Sequence, residues 1–447
     1  MVASNILLYF FLLISADLTY KNVAQAPEYC GKKNGYALDD KNCFWHTEFT
    51  SKRYILYDVN PPEGFNLRRD VYLRTSIFVR NLSEKSKKRY QWHLVLPPWG
   101  NLYHWRSTDI GPQKQIPWST FFDLESLKKY VPVIEMHEFI KEYSQNSKTS
   151  AIDRVYILQN DEKMFETGNF DDKNQLVNCT PDALRKYQAS SSGNYGAKFW
   201  GYSNVTANEV KCLVYHGTMS GLEENLYPDI YSSVMFDHME IPLHDSYGTK
   251  EFWAARRSMR YNSALYEIAN DFSQKYLKSN DSRDKTELPM DWTKEKSKRN
   301  ALGGPYLCVH LRRRDFLIGR AGSVPTIKNA ASQLSIKMEE LNLQSIFIAT
   351  DAENNEYNEL KSLLNMYAVT RYTPSDSVKK LYKDGGVAII DQIICSKARY
   401  FIGTHESTFT FRIQEDREIM GFPSKMTFNE LCGIEKCKSR SSWKILW

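Results

Sequence analysis

The sequence predicts an α/β protein built on parallel β-sheets. In the first half, a strand at 54–57 is followed by a helix over 67–82 and a second strand at 92–96. The second half repeats this style, with strands at 306–311 and 345–349 and helical segments after them. Alternating strands and helices are typical of a parallel sheet that is covered by helices on both faces.

Local patterns support each element of the first half. The strand at 54–57 reads Tyr-Ile-Leu-Tyr and is rich in strand formers. The helix over 67–82 is indicated by four apolar residues that share one helical face: Leu67, Val71, Phe78 and Leu82. Two prolines end the strand at 92–96, and residues 154–158 form a further apolar run of the strand type.

The second half continues with helical spacing over 353–363 and a short strand at 368–372. A pair of glycines precedes an apolar helix at 387–396, the last clear strand is 400–402, and helical spacing resumes over 410–420. Between the halves, residues 278–304 are polar and rich in charge, which predicts a surface insertion or lid. We expect the domain change near 243–250, giving domains 17–245 and 246–447.

Length and charge narrow the classes of function. A chain of 447 residues with 42% hydrophobic residues can bury a large core in two or three domains. Lys and Arg number 59 against 53 Asp and Glu, so the formal net charge is 59 − 53 = +6. This mild excess suits a small anionic ligand and is too diffuse to indicate nucleic-acid binding.

The N-terminus is typical of a secretory signal. Residues 6–14 are almost wholly apolar and are followed by Ser15 and Ala16, so we expect a signal peptide over 1–16. Because no Lys or Arg precedes the apolar run, a short signal anchor is the alternative. No later segment is long or apolar enough to cross a bilayer, so we expect a chain without stable membrane insertion in the secretory pathway.

Sequons and cysteines agree with that compartment. Eight cysteines include three pairs that are close enough to form local disulfides in an oxidising environment, namely Cys30–Cys43, Cys179–Cys212 and Cys432–Cys437. Cys308 and Cys395 lie in apolar runs and are expected to be buried thiols. Zinc binding is disfavoured because no pair has the C-x-x-C spacing. Four N-glycosylation sequons occur, at Asn81, Asn178, Asn204 and Asn280.

An arginine triplet follows the strand at 306–311. Arg312, Arg313 and Arg314 come at its C-terminal end, where ligands of open α/β sheets bind. The planar fork of arginine makes two parallel charged hydrogen bonds to phosphate, so the triplet predicts an anion site. A solvated basic turn is the simpler interpretation when the triplet is considered alone.

A second phosphate-type element follows the strand at 400–402. Ser407 and Thr408 come at the start of the predicted helix 410–420, where free backbone N–H groups can bind phosphate oxygens. Ordinary N-capping by either hydroxyl would need no ligand. Paired with the arginine triplet on the same sheet, the phosphate interpretation is favoured. Asp391, on the helix between them, could accept hydrogen bonds from a ribose or a purine base.

A carboxylate in a rigid turn is the remaining candidate. Pro61 and Pro62 fix the backbone before Glu63, and Gly64 lets a ligand approach the chain closely. A carboxylate held in this way can accept a proton from an attacking alcohol, although an exposed turn glutamate would look the same in sequence. No Walker A loop, G-x-G-x-x-G, G-x-S-x-G, zinc-protease motif or Asp-x-Asp occurs, so no metal is expected and arginine must neutralise any diphosphate.

Long blocks of the chain resemble the GDP-fucose-dependent protein O-fucosyltransferases that act on thrombospondin type 1 repeats. The resemblance extends from about residue 54 to the C-terminus and rests on the segments 57–70, 96–100, 310–315, 382–392 and 407–409. The His-x-Arg-Arg-x-Asp pattern of 310–315 is similar to one shared more widely among fucosyltransferases.

The resemblance implies two facing Rossmann-like domains of the GT-B type, with the active site in the cleft between them and GDP-β-L-fucose held mainly by the second domain. The catalytic base would be Glu63, and Arg312 would bind the leaving group. Donor contacts would fall on Pro62, Gly64, Phe65, Asn66, His310, Leu311, Asp391, Thr408 and Phe409, with Ser407 added from the helix start.

The same resemblance implies a metal-independent enzyme of the endoplasmic reticulum lumen, with the Golgi as a second possibility. A single displacement by the acceptor hydroxyl would invert the anomeric centre, and we expect the protein to be a monomer. Its acceptor would be Ser or Thr in a C-x-x-S/T-C-x-x-G context. The sequence ends Lys-Ile-Leu-Trp, which is not a retrieval signal of the Lys-Asp-Glu-Leu type. Two alternatives stay open: a transferase for epidermal-growth-factor-like repeats, and a secretory protein that binds glycans or repeats without catalysis.

Overall fold

Two β-sheets organise the chain in the computed structural model, which describes residues 51–86, 90–144, 150–191, 193–197, 199–227, 230–245, 247–433 and 442–447. The expected signal peptide therefore lies outside the described residues. The strands of the first sheet are β1 Ser51–Tyr57, β2 Tyr90–Leu96, β3 Val133–Glu135, β4 Ser150–Gln159, β5 Lys173–Val177, β6 Tyr187–Ala189, β7 Tyr195–Ala197, β8 Val205–His216 and β9 Ser233–Asp237.

The first sheet has a parallel centre and an antiparallel margin. Its strand order is β3-β2-β1-β9-β4-β8-β7-β6, with β5 also paired to β8. The strands from β3 to β8 along this order are parallel, whereas β5, β6 and β7 pair antiparallel. The strand order reverses direction at the β1–β9 pair, and such a switch point opens a crevice at the carboxyl ends of the strands.

The second sheet is parallel throughout its described pairs. Its strands are β10 Gly304–Leu311, β11 Ser345–Thr350, β12 Ala368–Thr370, β13 Ala398–Thr404 and β14 Glu430–Leu431. The order β12-β11-β10-β13-β14 is the 3-2-1-4-5 order of a Rossmann-like sheet, with its switch point between β10 and β13. The predicted α/β class with Rossmann-like sheets is confirmed.

Helices connect the strands and cover the sheets. Their bounds are α1 Phe65–Lys85, α2 Leu124–Lys128, α3 Met136–Ser144, α4 Glu162–Thr167, α5 Lys250–Ser258, α6 Ser263–Leu277, α7 Asp281–Asp284, α8 Arg314–Gly319, α9 Ile327–Leu341, α10 Asn354–Leu363, α11 Asp376–Ser396 and α12 Thr408–Met420. Of these described helices, none has the length and apolar character needed to span a bilayer.

A buried guanidinium joins the helices of the two sheets. Arg69 on α1 donates from Nη1 to Oε1 of Gln392 on α11 at 2.7 Å, and from Nη2 to the Tyr261 hydroxyl at 2.7 Å. Its side chain is fully buried, so these partners offset the cost of removing the charge from water. The described residues from 51 to 447 form one compact unit that includes both sheets, and the domain boundary at 245 stays a prediction.

Two segments differ from the sequence prediction. The helix expected over 387–396 begins earlier, at Asp376, with a break in helical geometry at Lys383. The glycine pair lies inside it because α11 packs closely on aromatic rings: a Cβ on Gly385 would come within 2.7 Å of Phe121. The segment 278–304 is not a free lid, since Glu295 is buried and forms an ion pair with Arg260.

The cysteines partly follow the prediction. Cys179 and Cys212 form the expected disulfide, with their Cα atoms 5.1 Å apart. Cys308 and Cys395 are fully buried, but the prediction of free thiols was wrong, because β10 and α11 bring them together into a disulfide across 87 residues of sequence. Cys30, Cys43 and Cys437 lie outside the described residues, so those two pairings stay predictions.

The four predicted N-glycosylation sites differ in exposure. Asn178, Asn204 and Asn280 are exposed, whereas Asn81 is half-buried on α1. An oligosaccharide needs an accessible amide, so the structure favours the first three sites over the fourth. Occupancy at all four stays a prediction.

Candidate active site

The switch point of the second sheet carries the arginine predicted to bind the leaving group. Arg312 follows β10, and its Nη1 and Nη2 atoms donate to Asp351 and Asp315, each at 2.6 Å. Its backbone N–H donates to Oγ1 of Thr404, at the end of β13, at 2.8 Å. Two carboxylates and a neighbouring strand therefore fix the guanidinium at the carboxyl edge of the sheet.

The other two arginines of the triplet have partners of their own, so Arg312 differs from them in its position, and the anion site predicted for the triplet stays a prediction. Arg313 is buried, forms an ion pair with Glu356, and donates to the Pro325 carbonyl at 2.8 Å. Arg314 donates to the backbone carbonyl of Asp351 at 2.8 Å. Residues leaving a strand point in different directions, which a triplet in the sequence cannot show.

The start of α12 stands next to this arginine. Ser407 precedes the helix, and within its described first turn the hydroxyl makes no capping hydrogen bond. Ordinary capping is therefore not the role of this serine. Thr408 and Phe409 form the first helical positions, where backbone N–H groups attract anions. The predicted phosphate element thus follows β13, the strand that pairs with the one preceding Arg312.

His310 lies beneath the same helix start. Its ring stacks on Phe409 with centroids 4.3 Å apart, and its Nδ1 is 2.8 Å from Oγ1 of Thr410. Because Thr410 donates its own proton to the carbonyl of Thr404, the histidine must donate from Nδ1, which leaves Nε2 as an acceptor. Burial, and secondarily the charge of Arg312, lower the pKa of His310 to about 3, so the ring is neutral.

Asp391 is a buried carboxyl on α11 whose Oδ1 finds no hydrogen-bond partner among the described residues. Burial raises its pKa to about 8, and Arg371 opposes that rise. An unpaired acceptor at such a position is costly unless a ligand supplies a donor. Leu311 and Phe65, by contrast, have side chains in the core, so only their backbone atoms could contact a donor.

The first sheet presents Glu63 at its own switch point. Glu63 lies between β1 and α1, and Arg68 holds its turn by donating to the carbonyls of Glu63 and Asn60, each at 3.0 Å. Partial burial raises the pKa of Glu63, the charge of Glu240 adds to the rise, and Arg68 opposes it. A carboxyl with a raised pKa is suited to accept a proton.

Three residues next to Glu63 were also predicted to contact the donor, and their side chains do not all face the same way. Pro62 is exposed and Gly64 is half-buried, so both can face a ligand. Asn66 instead directs its Oδ1 into the junction between α1 and α11. That oxygen accepts hydrogen bonds from Arg69 at 3.1 Å and from Gln392 at 2.9 Å. Gln392 is adjacent to Asp391, so Asn66 joins the base turn to the helix that carries the unpaired carboxyl.

His104 connects the two halves of the site. A Cβ on Gly64 would lie 3.2 Å from the His104 ring, and Nδ1 of the same ring is 3.1 Å from Nη2 of Arg312. The turn that carries Glu63 and the arginine of the second sheet are therefore separated by one imidazole. Burial and the charge of Arg312 lower the pKa of His104 to about 4, so its neutral Nδ1 accepts the hydrogen bond.

The long loop after β2 supplies this bridge. Tyr103, also on the loop, lies 3.4 Å from Asp315 through its hydroxyl, and the backbone N–H of Ser107 donates to Asp384 on α11 at 3.1 Å. Neither His104 nor Asp351 was predicted from the sequence as a functional residue. Asp351 had a signal, since it follows β11, the parallel neighbour of β10. His104 had none, because its role depends on how a long loop crosses the cleft.

The described residues were also compared with the requirements of a metal site. Among the described residues, no group of three or more His, Cys, Asp or Glu side chains converges on one point. Arg312 and the start of α12 place positive charge at the site. Metal independence itself stays a prediction.

Two Rossmann-like sheets, one carrying a carboxyl and the other a guanidinium that His104 connects, define a glycosyltransferase of the GT-B type. Solved structures agree with that fold. A crystal structure of POFUT1 in complex with GDP-fucose aligns with TM-score 0.54 at 17% identity, covering 85% of this chain and 97% of that one. A structure of POFUT1 in complex with GDP gives TM-score 0.53 at 16% identity, covering 85% and 98%.

Sequence comparison gives the family. The profile of GDP-fucose protein O-fucosyltransferase matches residues 54–420. GDP-fucose protein O-fucosyltransferase 2 of Homo sapiens is 46% identical over 400 residues, covering 89% of this chain and 90% of that protein. The Drosophila melanogaster protein of the same name is 40% identical, covering 88% and 82%. The chain belongs to the GDP-fucose protein O-fucosyltransferase family and is an enzyme of that class.

Proposed function

We propose that this enzyme transfers fucose from GDP-β-L-fucose to Ser or Thr hydroxyls of folded thrombospondin type 1 repeats, with inversion and without a metal. The observation that carries the proposal is the contact series from the Glu63 turn through His104 to Arg312. It joins a proton acceptor from the first sheet to a guanidinium from the second across one cleft.

Glu63 acts as the general base. A Ser or Thr hydroxyl is a weak nucleophile until its proton is taken, and a half-buried carboxyl with a raised pKa takes it readily. The hydroxyl oxygen attacks the anomeric carbon from the face opposite GDP, forming the new C–O bond as the bond to the diphosphate breaks. The proton ends on Glu63, and a β-linked donor gives an α-linked product.

Arg312 stabilises the leaving group. Negative charge grows on the β-phosphate as the glycosidic bond breaks, and a fixed guanidinium stabilises it without reorganising. Asp351 and Asp315 hold the guanidinium in place, each at 2.6 Å, so it is oriented before the donor binds. Backbone N–H groups at Thr408 and Phe409 add partial positive charge at the start of α12.

Without a metal, these groups alone must neutralise the diphosphate. Activity is therefore expected to persist in EDTA. Inhibition by EDTA that Mn²⁺ reverses would contradict the metal-free mechanism.

The acceptor class is tested directly with two folded repeats. Purified thrombospondin type 1 and epidermal-growth-factor-like repeats, each incubated with labelled GDP-fucose, are expected to give label only on the former, in the C-x-x-S/T-C-x-x-G context. Label only on the latter would assign the enzyme to the other repeat. Tight GDP-fucose binding with neither transfer nor slow donor hydrolysis would instead indicate a binding protein. A reduced, unfolded repeat serves as the control for recognition of the fold.

We also propose that the enzyme acts in the endoplasmic reticulum lumen. The apolar segment 6–14 and the exposed sequons at Asn178, Asn204 and Asn280 support an oxidising, glycosylating compartment. We expect endoglycosidase H to remove all glycans from the protein isolated from cells. Resistant glycans would favour the Golgi, and an unglycosylated chain would contradict the proposal.

A further inference from the structure

A second carboxylate lies at the switch point of the first sheet. β1 and β9 pair in parallel, with Tyr57 opposite Phe236, so the loops that follow them leave the same edge. The loop after β1 carries Glu63, and the loop after β9 carries Glu240. The side chain of Glu240 is only 15% exposed, and the transfer mechanism described above leaves it without a role.

Glu240 is tied to the turn that presents Glu63. Its Oε2 accepts a hydrogen bond from the backbone N–H of Asn60 at 3.1 Å. The carbonyl of Asn60 in turn accepts hydrogen bonds from the backbone N–H of Glu63 and from Nη2 of Arg68, each at 3.0 Å. Both polar backbone groups of Asn60 are therefore hydrogen-bonded: the N–H to Glu240 and the carbonyl to Glu63 and Arg68.

The other oxygen of Glu240 faces a histidine. Oε1 lies 3.1 Å from Nδ1 of His238, a residue with φ of +64°. The backbone N–H of Met239 donates to the Asp58 carbonyl at 3.0 Å, which ties the β9 loop to the end of β1 a second time. The loop after β9 is thus fixed immediately before Glu240, and the carboxylate has a defined position.

We propose that Glu240 is a positioning residue for fucosyl transfer: it fixes the Asn60–Glu63 turn and sets a negative charge beside the Glu63 carboxyl. The inference rests on the proposed function, in which Glu63 is the base. The role is distinct from that of Arg68, whose positive charge favours the ionised form of Glu63, whereas the charge of Glu240 disfavours it.

The charges around the pair agree with this role. The pKa of Glu63 is raised by its partial burial and then by Glu240, against the opposing effect of Arg68. The hydrogen bond to Glu240 raises the pKa of His238. Arg68 and Arg74 also interact with Glu240 through their charges. Across the cleft, Glu63 also acts on the Tyr103 hydroxyl, while neutral His104 borders Gly64.

Glu240→Gln separates the charge from the hydrogen bond. Glutamine Oε1 can still accept from the Asn60 N–H, so the turn is kept while the negative charge is lost. Without that charge the pKa of Glu63 falls, so the acidic limb of the kcat/KM profile moves to lower pH. The base also becomes weaker, and kcat at neutral pH is expected to drop roughly 3–10-fold with the KM for GDP-fucose unchanged.

Three comparison variants sharpen the test. Glu240→Asp keeps the charge and is expected to retain the wild-type acidic limb. Glu240→Ala loses the hydrogen bond as well, so its kcat is expected to fall below that of Glu240→Gln. Glu223→Gln removes one half-buried negative charge that pairs with Lys85, far from the Glu63 turn in the contacts of the structure, and is expected to leave the profile unchanged.

A Glu240→Gln profile that superposes on the wild-type profile would overturn the inference, even if its Tm is lower, because a purely structural role moves only stability. Failure of the proposed function is recognised separately. In that case the wild-type enzyme labels neither repeat, or Glu63→Gln retains full transfer, whatever Glu240→Gln does.

Discussion

Nη2 of Arg312 donates a hydrogen bond to Nδ1 of His104 at 3.1 Å, and the same imidazole lies against Gly64. The arginine belongs to the second sheet and the glycine to the turn that presents Glu63. The two catalytic candidates are therefore positioned relative to each other by a neutral ring rather than by direct contact. A direct ion pair between them would lower the pKa of the base and compete with the phosphate.

The first prediction concerns this ring. His104→Ala removes the acceptor for Arg312, so the guanidinium loses one of its three side-chain partners and kcat is expected to fall by about tenfold. His104→Asn places an amide oxygen close to the position of Nδ1 and is expected to retain most of the rate. Initial-rate measurements with a saturating donor test both variants. His137→Ala, at an exposed histidine, is the matched control, and equal rates for His104→Ala and the control would contradict the positioning role.

A second prediction follows from the protonation state of the same residue. The pKa of His104 in the fold is about 4, below the ordinary value of 6.5, so the unfolded chain binds the extra proton first as pH falls. Its neutral form therefore contributes stability that is present above pH 6.5 and is lost as pH falls through 4. The Tm should decline over this window, and His104→Asn should make the decline shallower. An unchanged slope for the variant would show that other groups dominate.

The strands and the charged residues at their ends could be predicted from the sequence, but the partners that orient those residues could not. β10 and the turn after β1 were predictable because apolar runs ended in Arg312 and Glu63, at positions where α/β sheets bind ligands. Asp351 was predictable in principle from its place after β11. His104 was not, because its role depends on a loop that meets a strand more than two hundred residues away.

Buried polar pairs set a second limit on prediction. Arg69 looks like a surface residue of a helix, yet it is fully buried against Gln392 and Tyr261. Cys308 and Cys395 look like core thiols, yet they form a disulfide. Local periodicity predicted the burial of the two cysteines but not that of Arg69. In all these cases the bonding partner is distant in sequence. Composition and spacing contain no information about such contacts.

The third prediction tests the base. Glu63→Gln cannot accept a proton, so transfer to the repeat is expected to fall by about 10²–10⁴-fold. Binding of GDP-fucose, measured by calorimetry, should stay close to that of the wild type because the amide preserves the volume of the side chain and the turn held by Arg68. Loss of donor binding together with transfer would point to a structural role for Glu63 instead.

The fourth prediction separates two neighbours in the arginine triplet. Arg312→Lys loses the planar fork that Asp315 and Asp351 orient, and its kcat is expected to fall on the order of 10²–10³-fold with little change in Tm. Arg313→Lys disturbs the partly buried pair with Glu356 and is expected to lower Tm with a much smaller effect on kcat. Paired measurements of Tm and kcat test this division. Near-normal turnover of Arg312→Lys would remove that residue from the mechanism.

The fifth prediction uses the unpaired carboxyl of Asp391. With a pKa of about 8, most of this group is protonated at pH 7 before the donor binds. A guanine base that donates its ring and exocyclic N–H groups to the side chain requires the carboxylate, so binding should release close to one proton at pH 7. GDP-fucose is the suitable ligand, because its diphosphate is esterified at both ends and does not titrate in this range.

The affinity for GDP-fucose should therefore rise close to tenfold per pH unit between about pH 6 and 7.5 and level off above 8. Calorimetry in two buffers with different ionisation enthalpies measures the released proton directly. Asp391→Asn has no proton to release and a single acceptor oxygen, so its affinity should be pH-independent and about 10–100-fold weaker than the wild-type plateau. A wild-type affinity that is constant from pH 6 to 9 would mean that the Asp391 carboxylate does not accept hydrogen bonds from the guanine of GDP-fucose. Release of a proton by both wild type and Asp391→Asn would assign the titration to another group.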